Sequence, residues 1–320
     1  MAAERVLVVA ERCLGDSVHT LPLLETLESR WPNLWVIGHG PRSFVLDGPG
    51  RTFITEEPGR SLQSDLRRAA TLRAYRFDVA VVAKASFRSA WITRLTGIRR
   101  RVGHAREGRS ILLTDTVPYQ AGAYEAFCVQ DLARPLGITV RLQRPRLQVP
   151  TEFLESREKI EGATIAVQPG ATGSDRVITT SALAGVVRHL QSEGIKVALV
   201  GGVREAEFSN ALCKQLDAPV VNLIGKTTLP ELMGVLSGLE LILGPDSGLM
   251  HLAAALGTTT VQAFASATYK KWGNAFGANQ VVVAPRGKME EITSDILLQA
   301  IESAVTSRKL MERVSLAAAV

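Results

Sequence analysis

Residues 244–251, GPDSGLMH, pair an acid and a hydroxyl with a glycine, and a histidine follows three positions later. They stand between an apolar run (239–243, LELIL) and an Ala/Leu-rich stretch. A strand that ends here and a helix that begins here would leave backbone N–H groups at the helix start without partners. That end carries partial positive charge. Ser247 and Gly248 keep bulk away from it, so a phosphate can approach the backbone. Asp246 is the expected N-cap. Its negative charge opposes a phosphate and therefore demands a donor elsewhere. Leu249 lies in the same turn. His251 is open to two roles, a ligand or Asp246 contact and a satisfied buried histidine.

Two more loops have comparable chemistry. In 14–24, LGDSVHTLPLL, Gly15 allows a tight turn and Asp16 follows it. Two roles are open for Asp16: helix N-cap, and general base facing a ligand. Pro22 would interrupt that helix or mark its first turn. In 167–183, VQPGATGSDRVITTSAL, small residues including Gly170, Ala171 and Thr172 precede Arg176. Such a loop lets N–H groups surround an anion while the arginine adds charge-assisted bonds.

Positive charge is concentrated in the first half. Residues 1–150 hold 22 Lys and Arg against 14 Asp and Glu, and the remainder holds 15 against 17. Seven arginines fall within 88–109, among them Arg99, Arg101, Arg106 and Arg109. A basic half suits an anionic ligand or surface, and equally a solvated face. With 5% aromatic residues and no nucleic-acid module, base-stacking platforms and a nucleic-acid partner are not expected.

The elements that must position these residues alternate along the whole chain. Apolar runs at Val6–Ala10, Leu34–Ile37 and Asp78–Ala83 predict strands, as do Thr164–Gln168, Lys196–Val200, Val220–Leu223, Leu239–Leu243 and Thr260–Phe264. Amphipathic stretches such as Leu21–Arg30, Ser181–Ser192, Glu205–Leu216 and Leu229–Leu236 separate them. Near-continuous apolar strands alternating with helices predict α/β architecture with parallel sheets covered on both faces. The pattern restarts after a polar stretch at 149–163, read as a linker. Two Rossmann-like parallel-sheet domains, 1–155 and 156–320, are expected to face each other across a cleft, with ligands at the carboxyl ends of the strands. The early strand lacks a G-x-G-x-x-G turn, no Walker A loop occurs, and no D-x-D or His/Cys cluster suggests a metal. No apolar run is long enough to span a bilayer, and Cys13, Cys128 and Cys213 are too scattered for a disulfide framework, so a reducing cytoplasm is the expected compartment.

At these residues the chain resembles a known family. GDSVHTLPLLETLESRWPN (15–33) is similar to the opening of the ADP-heptose:lipopolysaccharide heptosyltransferases, glycosyltransferase family 9, and PDSGLMHLAAALGTTTVQAF (245–264) to their hallmark segment. GIRRRVGHAREGRSILLTDTVP, AYEAFCVQDLARPLGI and NLIGKTTLPELMGVLSG match in style and order. The resemblance runs from about Val6 to Phe264. It implies a GT-B fold and an inverting, metal-independent transfer of heptose, or a similar sugar, from an ADP-sugar that is a co-substrate, with no cofactor. The implied acceptor is an anionic saccharide such as lipopolysaccharide core, bound by the N-terminal domain, and the donor binds the C-terminal one. Asp16 matches the catalytic base. The Gly170–Arg176 loop matches the donor phosphate loop, and Asp246, Ser247, Gly248, Leu249 and His251 match the sugar-diphosphate segment. Thr227 falls at the adenine pocket and Glu205 near the ribose. Arg99, Arg101 and Arg106 are candidates for the acceptor's anionic groups, and a basic face for peripheral contact with the inner membrane. The architecture also leaves the last helix free to pack back on the N-terminal domain.

The chain departs from the family where Lys, an aromatic and Pro are usual: it has Asp175-Arg176-Val177 instead. Arginine keeps the charge and changes its geometry. Two other functions therefore stay open. One is a tailoring glycosyltransferase of the same fold acting on a soluble metabolite, and the other is a non-catalytic nucleotide-sugar binder.

Overall fold

The computed structural model describes residues 4–38, 44–55, 59, 61–171 and 176–318, with side chains described through 311. It divides into two units, Met1–Pro145 and Arg146–Val320. In the first, six parallel strands take the order β3-β2-β1-β4-β5-β6. They are β1 (Val6–Val9), β2 (Leu34–Gly38), β3 (Arg51–Thr55), β4 (Val79–Val82), β5 (Arg100–His104) and β6 (Asp115–Val117). Strands β1 and β4 are adjacent, Val6 pairing with Val79, and every residue of both is buried. That burial on both faces is why they read as unbroken β-branched runs. The helices are α1 (Leu14–Glu28), α2 (Leu62–Ala74), α3 (Phe87–Leu95) and α4 (Glu125–Gln130).

The second unit repeats the plan. Its order is β12-β11-β10-β7-β8-β9, with β7 (Ile165–Val167), β8 (Val197–Leu199), β9 (Val221–Asn222), β10 (Leu241–Pro245), β11 (Thr259–Phe264) and β12 (Gln280–Val283). Here β7 and β10 take the places of β1 and β4. Helices α5 (Thr180–Ser192), α6 (Ala206–Cys213), α7 (Leu229–Ser237), α8 (Gly248–Ala255), α9 (Tyr269–Trp272) and α10 (Ser294–Ala318) complete it. The core joins Ile165, Val167, Leu241 and Leu243 of the sheet to Leu183, Val187 and Leu190 of α5 and to Leu297, Ile301 and Ala304 of α10. The described part of the last helix is thus built into the second unit's own core. Each such Leu or Ile stabilises the fold by about 1.5–3 kcal/mol through burial.

In each unit the chain builds outward on one side of its first strand and then returns to build on the other. The crevice at this reversal, beyond the carboxyl ends of the two central strands, is where open α/β sheets bind ligands. The described residues of all three loops singled out by the sequence lie at these ends: 14–24 after β1, 168–171 and Arg176 after β7, and 246–251 after β10.

Three expectations need correction. Pro22 neither interrupts nor starts α1, which runs through it for 15 residues. The polar stretch read as a linker folds into a 3-10 helix, Thr151–Ile160, packed on α7. Gly234 permits this approach, because a Cβ there would lie 2.0 Å from the Phe153 carbonyl oxygen. Finally β3, β5, β6 and β12 were not recognised. β5 opens with two arginines, RRVGH, which hides its strand character, and β3 is only partly buried.

Candidate functional site

The first unit's site is built on the turn from β1 into α1. Cys13, not Asp16, is the N-cap, with φ −82° and ψ 150° and no side-chain capping bond. Asp16 is the third helical residue and is half-buried. The Ser17 hydroxyl donates to the Cys13 carbonyl, and that of Thr20 donates to the Asp16 carbonyl, both at 2.9 Å, fastening the turn.

The loop after β4 is tied into this edge. The Ala85 amide donates to Glu11 Oε1 at 2.6 Å. Arg109, wholly buried, donates through Nε to the His104 carbonyl and through Nη1 to that of Lys84. Its Nη2 has no partner among the described residues. Burial holds the His104 imidazole below its ordinary range, so it is neutral at neutral pH. The Arg106 guanidinium lies 4.2 Å from the Tyr119 ring centre, and the Tyr119 hydroxyl donates to Glu125 at 2.6 Å. Burial first, and then the Glu125 carboxylate, push the Tyr119 phenol well above its usual range.

The acceptor arginines separate. Arg106 is on the carboxyl edge with Asp16. Arg99 precedes β5 and Arg101 belongs to its start, so both lie on the amino edge, and the structure does not bring them to Asp16. Arg101 is occupied there, donating to the Leu112 carbonyl at 2.8 Å and to the Ile98 carbonyl. In a parallel sheet, the two ends of a strand face opposite edges.

In the second unit the cap of α8 is Ser247, not Asp246. Its hydroxyl does not cap the helix; it donates to Gln168 Oε1 at 2.6 Å, across from β10 to the end of β7. The first amides of α8, at Gly248 and Leu249, therefore have no side-chain cap. The side chain of Leu249 is core, so only its backbone can serve a ligand. Two groups face Asp246: the Arg176 guanidinium, whose Nη1 is 3.6 Å from Oδ2, and the His251 ring, whose Nε2 is 4.0 Å from Oδ1. Burial pushes the Asp246 carboxyl up from its usual range, while Arg176 pulls it down.

His251 is buried beside Asn274. The Asn274 Nδ2 donates to the Met250 carbonyl at 3.1 Å, which leaves its Oδ1 to accept from His251 Nδ1 at 3.3 Å. That assigns the ring proton to Nδ1 and the lone pair to Nε2, on the Asp246 side. Burial holds this imidazole down to about 4, so it is neutral at neutral pH.

Gly170 lies in the loop that leaves β7, and a Cβ there would lie 2.9 Å from Phe208 and 3.1 Å from Glu205. The glycine is thus required by side-chain packing. Ala171 is half-buried at the loop, and Thr172 lies outside the described residues. Glu205 fits beside Gly170, Gly201 and Gly202 at the same sheet edge. The Thr227 hydroxyl is buried without a partner among the described residues, at the start of α7. The structure thus assembles Gly170, Arg176, Asp246, Ser247, Gly248 and His251 at the β7/β10 reversal, with Glu205 beside them.

Three positioning residues, Gln168, Gln262 and Asn274, were not anticipated. Gln262 accepts from the Asn274 amide at 3.2 Å. A signal existed for two of them, since a glutamine inside or ending an apolar strand is buried and must find partners. Asn274 had no such signal.

Residues 66–299 match the family model described as Glycosyltransferase family 9 (heptosyltransferase). Lipooligosaccharide heptosyltransferase 2 of Haemophilus influenzae is 27% identical over 278 residues, covering 78% of this chain and 80% of that protein. Lipopolysaccharide heptosyltransferase 2 of Escherichia coli is 29% identical over 287 residues, covering 79% and 80%. The solved structure of E. coli ADP-heptose lps heptosyltransferase II superposes with a TM-score of 0.81 at 24% identity, over 95% of this chain and 99% of that one. The two six-stranded sheets therefore have the heptosyltransferase α/β fold.

Proposed function

The chain belongs to glycosyltransferase family 9, the heptosyltransferase family, and on that footing we propose that it moves a heptose from ADP-heptose to a hydroxyl of an anionic saccharide of the lipopolysaccharide-core kind. In this reading the transfer is inverting and uses neither metal ion nor resident cofactor, and it takes place on the cytoplasmic side of the membrane. Asp16 removes the proton of the acceptor hydroxyl as its oxygen attacks the anomeric carbon from the face opposite the diphosphate. The bond from that carbon to the diphosphate oxygen breaks, and ADP leaves with the bonding pair. The charge that grows on the leaving phosphate meets the Gly248 and Leu249 amides and the Arg176 guanidinium. Glu205 serves the ribose and Thr227 the adenine side. Arg106 serves the acceptor's anionic groups.

The observation that carries this reading is the Ser247 hydroxyl bonded to Gln168, which leaves the start of α8 open to an anion. Asp16→Asn is the test. We expect kcat with ADP-heptose and a lipopolysaccharide-core acceptor to fall by about 10²- to 10⁴-fold, while ADP-heptose affinity by calorimetry is unchanged. Turnover retained in the variant, or thermal stabilisation by UDP- or GDP-sugars but none by ADP-heptose, would overturn the proposal.

A further inference from the structure

The first unit exposes large apolar side chains on two neighbouring helices. Leu62 and Leu66 of α2 are 64% and 50% exposed, and Phe87 and Trp91 of α3 are 45% and 36% exposed. Each pair is spaced i,i+4 and so shares one helix face. Ion-pairing shows how the helices meet: Arg88 of α3 grips buried Asp65 of α2 at 2.5 Å. Both helices lead from the sheet's carboxyl edge back to its amino edge and thus run in the same direction. From the Asp65–Arg88 line, at 100° per residue, Leu62 and Leu66 lie 60–100° round α2. Phe87 and Trp91 lie 60–100° round α3 in the opposite rotational sense. For parallel neighbours these rotations bring both pairs to the same side. The buried residues Ser89, Ala90, Ile92 and Thr93 occupy the far side of α3, which leaves this side to solvent. Ile111, 82% exposed, belongs to the segment after β5 that packs beside α3.

The charge along these two helices is mainly positive. Residues 61–95 carry seven Lys and Arg and two Asp, an excess of five in a chain whose net charge is +6. Of the two acids, Asp65 is buried beneath Arg68 and Arg88. Exposed Arg67, Arg73, Arg76 and Arg94 form no ion pair among the described residues. By the same rotation, Arg73 and Arg94 continue the apolar face toward the helices' C-terminal ends. An apolar tip with an interfacial tryptophan and a basic flank has the chemistry of an anionic lipid surface. A neutral protein partner would not call for so large an unpaired charge. The tip is formed by the N-terminal turns of α2 and α3, at the sheet edge where Asp16 stands.

We propose that Leu62, Leu66, Phe87 and Trp91, flanked by Arg67, Arg73 and Arg94, form the surface by which this protein docks on an anionic lipid bilayer. Docked this way, the carboxyl edge of the first sheet turns toward the lipid, where a lipid-linked acceptor would present its saccharide. Docking itself does not depend on catalysis, so it can be tested apart from the proposed function.

The full chain is to be sedimented with vesicles of phosphatidylglycerol and phosphatidylcholine in equal parts and, separately, of phosphatidylcholine alone. We expect binding to the anionic vesicles only, weakening as salt screens the arginines. The double variant Phe87→Ser/Trp91→Ser should bind at least about tenfold more weakly, since both apolar anchors are lost. Arg67→Glu/Arg94→Glu should lose binding by at least a similar factor, because two charges that the anionic surface attracts become two that it repels. All these side chains are exposed, so the variants should melt as the parent does, and their transfer to a delipidated acceptor should persist. Absence of binding to anionic vesicles, or equal binding by parent and both variants, overturns the proposal. So does a dimer, seen by light scattering, that the Phe87/Trp91 variant dissociates, because the face would then belong to a second copy.

Discussion

The Ser247 hydroxyl donates to Gln168 Oε1 at 2.6 Å, although Ser247 is the N-cap of a helix whose first amides it could bond. Serine at an N-cap ordinarily satisfies one of these amides and stabilises a helix by about 1 kcal/mol. Here that bond is given up, and the β10–α8 turn is anchored to the neighbouring central strand instead. A helix start held rigid and left bare suits a diphosphate better than one that must first release its own cap.

Removing the anchor should therefore weaken donor binding without unfolding the unit. In Gln168→Met the Ser247 hydroxyl can swing round and cap α8, offsetting the lost bond. ADP then competes with a cap, and its affinity by calorimetry should fall about tenfold while the melting temperature changes little. Unchanged ADP affinity would show that Gln168 does not hold the site open.

Asp246 should trade stability for activity. Its folded-state pKa is raised by burial, with Arg176 opposing, so the fold favours the protonated acid. The stability that goes with protonation is present below the ordinary carboxylate range and is lost as pH rises through the folded value. At neutral pH the ionised group therefore burdens the fold. Asp246→Asn should raise the melting temperature at pH 7, with the gain shrinking toward pH 4, and should cut turnover about tenfold or more as Arg176 loses its partner. A variant less stable than the parent at pH 7 would contradict this account.

His251 predicts the opposite slope. Its folded pKa is held at about 4 against an ordinary 6.5. The unfolded chain takes up a proton first, so the stability from neutral burial is complete above about pH 6.5 and drains away as pH falls toward 4. In urea melts across pH 7 to 4.5 the parent should lose up to about 1.4 kcal/mol per pH unit more than His251→Gln. Parallel pH profiles for the two proteins would count against it.

Gly170→Ala tests whether that glycine serves packing. The new methyl group would meet Phe208 at 2.9 Å and Glu205 at 3.1 Å. Displacing them should destabilise the protein by about 1–3 kcal/mol, and moving Glu205 should weaken ADP binding as well. An unchanged melting temperature would mean that α6 yields freely.

The residue pattern was enough to predict the α/β class, the parallel sheets and the three loops, because apolar periodicity and small-residue turns are local properties. It singled out Asp16, Arg176 and the 246–251 turn for the same reason: each belongs to the segment that leaves a recognisable strand. Caps are also local, yet Asp246 is expected to cap α8 where Ser247 stands. Whether Ser247 or Asp246 caps α8 depends on Gln168, 79 positions away in sequence.

Only the tertiary structure decided the rest. Arg99, Arg101 and Arg106 stand within eight residues of one another, but a five-residue strand carries the first two to one edge of the sheet and the third to the other. Arg88 looked like part of a solvated run until α2 brought Asp65 beneath it. Asn274 had nothing to mark it before folding placed it between His251 and the Met250 carbonyl. Spacing along a chain sets which elements form. Which side chains meet is set by the order of strands in the sheet and by the pairing of helices across it, and these are long-range choices made when the core closes.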